Sequence, residues 1–420
     1  MKISKRNTQN NYDANILFML VAFPYISIPI INIGSDIQPY TIIYVFLLIL
    51  ILIVKREKLS LPYPLWIICL ILFYATILYF INADFVFGLR SLAGYISIFL
   101  IAVASYLTFK HLNLKAFFLS ISIWMIFGII QLLFKKDFGY NLIVRMSTSP
   151  NRGVTSLAVE PSFYAIMCMF FLILNEIFYQ RNKYESRVYL VIIFILCFQI
   201  FISYSGMGLL LLSIFFIVKI FEILLQKMTI RGIIRVSLCA MGSFIIFWSF
   251  TYFPLLQITR AGQILSKFII NPMELLFSDA SMADRASHIV VSFYSLIYSN
   301  GLGLGLGTWG EHCNLLISSA GGWVEKLANV NFSTGGRIMS GWGTAVYELG
   351  VVGMLLILVY LWLILMASRR IQNKKVKANL TGTMIIVFIM LLMAVPLAMP
   401  FFGYILGVYF YYIYNSLGLE

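Results

Sequence analysis

Charge is what this 420-residue chain has least of. Only 11% of its residues are charged and 61% are hydrophobic, against about 25% charged in soluble domains. That shortage leaves too little polar surface for a water-soluble globule. Acidic residues are scarcer still, 16 against 30 lysines and arginines, for a formal charge of +14. The positive excess does not read as a nucleic-acid footprint. The basic residues stand in short clusters between apolar runs, where they orient helices in a membrane. Histidine (3) and cysteine (5) are also sparse. Cys69, Cys168, Cys197 and Cys239 lie within apolar segments and Cys313 stands alone, so neither a disulfide framework nor metal-ligand spacing is expected. There is no convincing internal repeat and no low-complexity tail. The first apolar run follows a polar start without a small-residue cleavage pattern, so no cleavable signal peptide is expected.

What is present is a succession of apolar runs, each long enough to cross a hydrocarbon core about 30 Å thick. The fold expected is an all-α polytopic membrane protein of about twelve spans with both termini in the cytoplasm. The spans fall near 15–34, 40–54, 62–82, 91–109, 116–134, 160–180, 188–203, 207–225, 236–253, 342–366, 379–396 and 400–416. Each connection assigned to the cytoplasm is basic, most strongly Arg369, Arg370, Lys374, Lys375 and Lys377. Tyr204-Ser205-Gly206 reads as a tight turn. Asp84 and Arg90 are placed in a short outer turn. Two longer outer connections remain, 135–159 and 254–341, the second lying between the ninth and tenth spans. Within it, 260–277 reads as an interfacial segment split at Pro272.

Ten basic residues break the cytoplasmic rule by falling on the outer side: Arg90, Lys135, Lys136, Arg145, Arg152, Arg260, Lys267, Arg285, Lys326 and Arg337. Each can be explained by a nearby acid such as Asp137, Glu274 or Asp284, or by lipid headgroups. Taken together, the arginines favour an anionic ligand, because a guanidinium fork matches phosphate oxygens. One group is Arg152-Gly153 leading into Glu160-Pro161-Ser162. Proline suits the first turn of a helix, which places Glu160 at the outer mouth of the sixth span. There it is either a helix-end charge paired with Arg152, or an acid, base or acceptor-hydroxyl ligand. The second group lies on a helix begun by Ser281 or Asp284, both good caps. At 100° per residue, Arg285, His288, Ser292, Ser295 and Ser299 fall in one stripe roughly 80° wide, which can face a wet cavity rather than lipid. His288 is either a base near neutral pH or a hydrogen-bonded helix residue.

The run from Gly301 to Gly307 has glycine at every second position. It is not a P-loop, since no Gly-Lys-Ser/Thr follows; Gly303 and Gly305 let backbone approach a ligand or a helix closely. Glu311, His312 and Cys313 are adjacent and cannot all converge on one ion. Arg337 precedes the tenth span. Glu348 lies inside it, where an acid usually faces the protein interior, and is expected to be a buried structural partner for an arginine rather than a group in direct chemistry.

These features together resemble the O-antigen and capsule polysaccharide polymerase (Wzy-type) family, related to the O-antigen ligases. The likeness rests on the roughly twelve-span layout, on Arg152-Gly153 and Glu160-Pro161-Ser162, and on the long outer loop before the tenth span. That loop contributes its arginines, its glycine run and the Glu348-Leu349-Gly350 segment that follows. The resemblance implies a GT-C-like membrane glycosyltransferase of the bacterial cytoplasmic (inner) membrane, acting at its outer face in lipopolysaccharide or capsule biosynthesis without cofactor, metal or nucleotide sugar. The donor would be a glycan on undecaprenyl pyrophosphate and the acceptor the terminal sugar of another lipid-linked repeat unit. A flippase and a chain-length regulator are the implied partners, beside membrane lipid and with no nucleic acid. On this reading Arg152, Arg285 and Arg337 bind pyrophosphate and Glu160 or His288 is the catalytic proton acceptor. Trp309, Trp323 and Trp342 are candidates for sugar stacking or for membrane-interface anchoring. Two alternatives stay open: a ligase that transfers the glycan to lipid A–core, since the ligases share a loop histidine, and a lipid-linked oligosaccharide flippase or transporter.

Overall fold

A backbone in hydrocarbon must satisfy its polar groups within each segment, so long apolar runs become helices. The computed structural model follows that rule. It describes residues 2–27, 36–54, 60–82, 85–143, 146–147, 152–182, 184–225, 280–328 and 338–415, with isolated positions 241, 263, 267, 271 and 277. Among the described residues the chain is helical without a β-sheet, and Ile26 and Ile143 form an isolated antiparallel bridge.

The first part of the chain gives α1 (Lys2–Ala22), α2 (Tyr40–Val54), α3 (Tyr63–Asn82), α4 (Phe85–Thr108), α5 (Leu114–Leu133), α6 (Pro161–Asn182), α7 (Ser186–Ile202) and α8 (Gly206–Leu225). After the segment at 226–279 come α9 (Ala280–Tyr298), α10 (Trp309–Ala320), α11 (Gly322–Ala328) and α12 (Gly341–Leu349). The chain closes with α13 (Val351–Arg370), α14 (Lys374–Met393) and α15 (Pro400–Asn415). Seven described helices (α3, α4, α5, α6, α8, α13 and α14) are long and apolar enough to cross a membrane, and α2 and α7 are shorter apolar helices. The ninth expected span, 236–253, and the interfacial segment at 260–277 lie outside the continuously described residues.

The centre of the bundle is α6. Of its span, 89% is buried within the protein, against 28% for α3, which faces outward. A long pairing of α4 with α15 flanks it, made close by Gly403 and Gly407, whose Cα atoms lie against the α4 backbone at Ile98 and Ala102. Aromatic rings pack α6 against its neighbours, with Phe117 of α5 edge-on to Phe178 at 4.9 Å and Phe401 of α15 against Phe170 at 5.2 Å. The Tyr204 turn between α7 and α8 forms as expected, with Tyr204 in the left-handed region at φ 45°.

Three boundaries differ most from the sequence reading. The first span, expected at 15–34, belongs to a helix that begins at Lys2 and stops at Ala22, with 23–27 not helical. Arg90 is not in a turn, because α4 already begins at Phe85. The expected tenth span is two helices, α12 and α13, broken at Gly350 (φ 60°). The cause is the glycine run. Val351 donates its backbone N–H to Gly301 O at 2.8 Å and Leu304 N–H donates to Tyr347 O at 2.8 Å, so the run is wedged across the break. Gly301, Gly303, Gly305 and Gly307 all sit at positive φ, between 76° and 94°. Glycine at every second position therefore answers a repeated left-handed backbone that other residues resist.

Candidate functional site

The end of α5 builds the first part of the site. Gln131 is a buried polar residue in an apolar helix, and its side chain folds the 152–160 segment back onto the bundle. Its Oε1 accepts from the Thr155 and Ser156 backbone N–H groups at 3.0 and 2.6 Å, and its Nε2 donates to Ser156 O and Phe138 O at 2.9 and 2.8 Å. Gly153 crosses the end of α7 so closely that a Cβ there would strike the carbonyls of Ile202 and Ser203. Gly153→Ala is therefore expected to lose about 1–3 kcal/mol, read as a lower melting temperature in detergent. An unchanged melting temperature would show that this crossing does not constrain the chain.

This scaffold presents an ion pair at the mouth of α6. Arg152 Nη1 stands 3.6 Å from Glu160 Oε2, with side chains 34% and 37% exposed. Ser162 Oγ donates to the same oxygen at 3.4 Å, and Lys136 Nζ donates to Arg152 O at 2.9 Å. The Glu160 carbonyl accepts from the Phe163 and Tyr164 N–H groups, so Glu160 ends the loop and starts the helix. A pair this open to solvent contributes only about 0–1 kcal/mol to stability. Both groups are accessible to a ligand.

The second group sits on α9, and here the wet reading of the stripe is corrected. His288, Ser292 and Ser295 are fully buried. The serine hydroxyls turn back onto their own helix, Ser292 Oγ to His288 O and Ser295 Oγ to Ser292 O. The stripe faces α12, whose Gly343 lies directly against Ser292. Small side chains let two helices approach closely, and that packing rather than water explains the serine spacing. His288 Nδ1 accepts from the Met339 backbone N–H at 3.0 Å, and Nε2 lies 3.6 Å from Asp284 Oδ1. The Nδ1 lone pair is thus engaged, and the ring packs edge-on to Trp309 at 5.3 Å. Arg285 is half-buried on the same helix. Arg337 lies outside the described residues.

Glu348 proves to be the third node. It is buried, but its partners are hydroxyls and a backbone N–H. It accepts from Ser91 Oγ, from Tyr95 OH at 2.9 Å and from Gly307 N–H at 3.2 Å. This carboxylate ties α4, α12 and the glycine run together. Gly305 N–H adds a bond to its carbonyl at 3.3 Å, and a Cβ on Gly303 would meet that same carbonyl oxygen. Glu348, Gly303 and Gly305 are therefore supports.

The tryptophans divide. Trp342 is fully buried, donates Nε1–H to Phe388 O at 3.0 Å and packs on Tyr360, Phe388 and Phe402, which gives it a core role. Trp309 is buried between His288 and Tyr347. Trp323, 56% exposed, has an open ring. Cys313 is buried, and burial pushes its thiol pKa up, away from the reactive thiolate. Among the described residues no group of three or more His, Cys, Asp or Glu side chains is placed to hold a metal ion.

The structure thus joins Arg152 to Glu160, His288 to Trp309, and Glu348 to the glycine run. Helix α14 packs against both α6 and α9. A further cluster has no counterpart in the sequence reading. Toward the opposite end of α6, Glu176 is buried with Lys219 Nζ at 2.8 Å, and Lys219 also reaches Glu222 at 2.9 Å. Tyr189 OH and Asn379 Nδ2 complete the shell of Glu176. Its only sequence signal is three charges standing inside apolar helices. No protein-family model matches this chain, and a search of curated proteins returns no match.

Proposed function

We propose that this chain is a polysaccharide polymerase of the O-antigen or capsule type. It would be an integral membrane glycosyltransferase that moves a glycan from undecaprenyl pyrophosphate to the terminal sugar of another lipid-linked repeat unit. The observation that carries this reading is the solvent-open Arg152–Glu160 pair at the mouth of the central helix. It combines a guanidinium suited to phosphate with a carboxylate able to take a proton, 3.6 Å apart. The basic cluster at 369–377 supports cytoplasmic termini and, with them, an outward-facing site.

In the proposed reaction the acceptor hydroxyl oxygen attacks the anomeric carbon of the donor. The carbon–oxygen bond to pyrophosphate breaks, and undecaprenyl pyrophosphate leaves with the electron pair. Arg152, with Arg285 and Arg337 as further candidates, stabilises the charge gathering on the leaving group, an interaction stronger in the transition state than before it. Glu160 takes the hydroxyl proton. It is favoured over His288 because its carboxylate is open to solvent, whereas the His288 side chain is 1% exposed. Of Trp309, Trp323 and Trp342, Trp323 retains the open ring that sugar stacking requires.

The test is reconstitution in liposomes with purified lipid-linked repeat units, with and without lipid A–core as a second acceptor. Glycan ladders are expected; transfer only to lipid A–core would make the protein a ligase, and movement across the bilayer without a new bond would make it a flippase. Glu160→Gln is expected to lower turnover by about 10²–10⁴-fold, while His288→Asn, which keeps an acceptor near the Met339 N–H, retains most of it. The reverse result would transfer the base role to His288.

A further inference from the structure

The stretch from the end of α9 to α12 is polar enough in sequence to read as a loop standing in water, yet two of its large apolar side chains are among the most exposed of the described residues. Ile297 is 73% exposed and Leu302 71%. Both lie beside the first residue of α13, since Gly301 N–H donates to Leu296 O at 2.8 Å and Gly301 O accepts from Val351 N–H at 2.8 Å. Val351 is 56% exposed and opens a stripe that continues through Leu355, Leu358 and Leu365 on one side of α13. At 100° per residue those four positions fall within roughly 80° of one another.

Helix α13 has 20 residues. At about 1.5 Å per residue it is about 30 Å long, the thickness of the hydrocarbon core. With Arg369 and Arg370 marking its other end, Val351 lies at the boundary between hydrocarbon and headgroups. The apolar stripe does not stop there: it passes across the chain break onto Leu302 and Ile297. The exposed residues of α10 are mostly polar, Glu311, Asn314, Ser318 and Ser319, with Leu315 the one large apolar side chain among them.

We propose that the end of α9 and the start of the glycine run are seated in the bilayer, with Ile297 and Leu302 in contact with lipid acyl chains as a continuation of the α13 stripe. The glycine run and the Glu348 carboxylate that holds it then lie at headgroup depth, while α10 faces water. The bilayer is the chosen occupant because the patch is continuous with the outward face of a membrane-length helix.

The experiment places photoreactive p-benzoylphenylalanine at Leu302, and separately at Ile297, in the full chain. The protein is reconstituted in vesicles of phosphatidylethanolamine and phosphatidylglycerol. After illumination, mass spectrometry should find lipid adducts at both positions at the level of a Leu358 control, and none at Ser318. Cross-links to a second copy, or lipid adducts at Leu358 but at neither test position, would overturn the assignment. Hydroxyl-radical labelling of the unsubstituted protein in the same vesicles gives an independent reading. Leu302 and Tyr298 should stay protected, and strong labelling of both would place this edge in water.

Discussion

Arg152→Ala is expected to lower ladder formation by about 10²–10³-fold, the loss seen when one preorganised donor to a developing anion is removed. Folding should be nearly untouched. The guanidinium is one-third exposed and pairs with the equally open Glu160, an arrangement contributing only about 0–1 kcal/mol. Meanwhile the backbone at this position is held independently, by Lys136 on the Arg152 carbonyl and by Gly153 against the end of α7. The variant should therefore express, elute and melt like the parent while its turnover falls. Arg152→Lys is expected to recover part of the rate, since an ammonium restores charge but not the planar fork. Liposomes containing lipid-linked repeat units provide the measurement. Ladders of parental rate and length from Arg152→Ala would remove this residue from pyrophosphate binding and take away the principal support for the polymerase reading.

The second large effect concerns stability. Lys219→Met is expected to cost about 3–5 kcal/mol, the range for breaking a buried ion pair by removing one partner. Lys219 is the ammonium shared by Glu176 and Glu222, whose side chains are 3% and 10% exposed. Without it two carboxylates face each other among α6, α8 and α14, with only Asn379 and Tyr189 left donating to Glu176. Glu222→Gln alone should be mild, because the Lys219–Glu176 pair survives. Adding it to Lys219→Met should restore part of the loss, a non-additivity expected of residues in one network. Thermal unfolding in detergent, followed by loss of the monodisperse peak, reads all three variants. A Lys219→Met protein that melts with the parent would show that this cluster is not a packing node.

Much of the helical layout is legible in the amino-acid sequence. Hydrocarbon leaves a backbone few choices, so apolar run length alone locates α2, α3, α5, α7 and α8 to within a few residues. Pro161 marks the start of α6 for a local reason, its missing N–H, and thereby places Glu160 at a helix mouth. Arg152 and Glu160 are eight positions apart across a short loop, close enough along the chain for their pairing to be foreseen. The α9 stripe shows the limit. Its period is visible, but a stripe of serines suits water and close helix contact equally, and Gly343 on another helix makes the choice.

Hydropathy and capping act within one segment. The chain's own pattern therefore locates many of the membrane-length helices and some of the residues at their ends, Glu160 among them. Which segments touch is a matter for the folded bundle alone. Glu348 meets Ser91, Tyr95 and Gly307, Glu176 meets Lys219 and Asn379, and the glycine run breaks the expected tenth span at Gly350. The difference arises because lipid is as apolar as a leucine side chain. Hydrophobicity drives each helix into the membrane but does not choose its neighbour, and that choice falls to close packing at small residues and to polar groups that must find partners away from water.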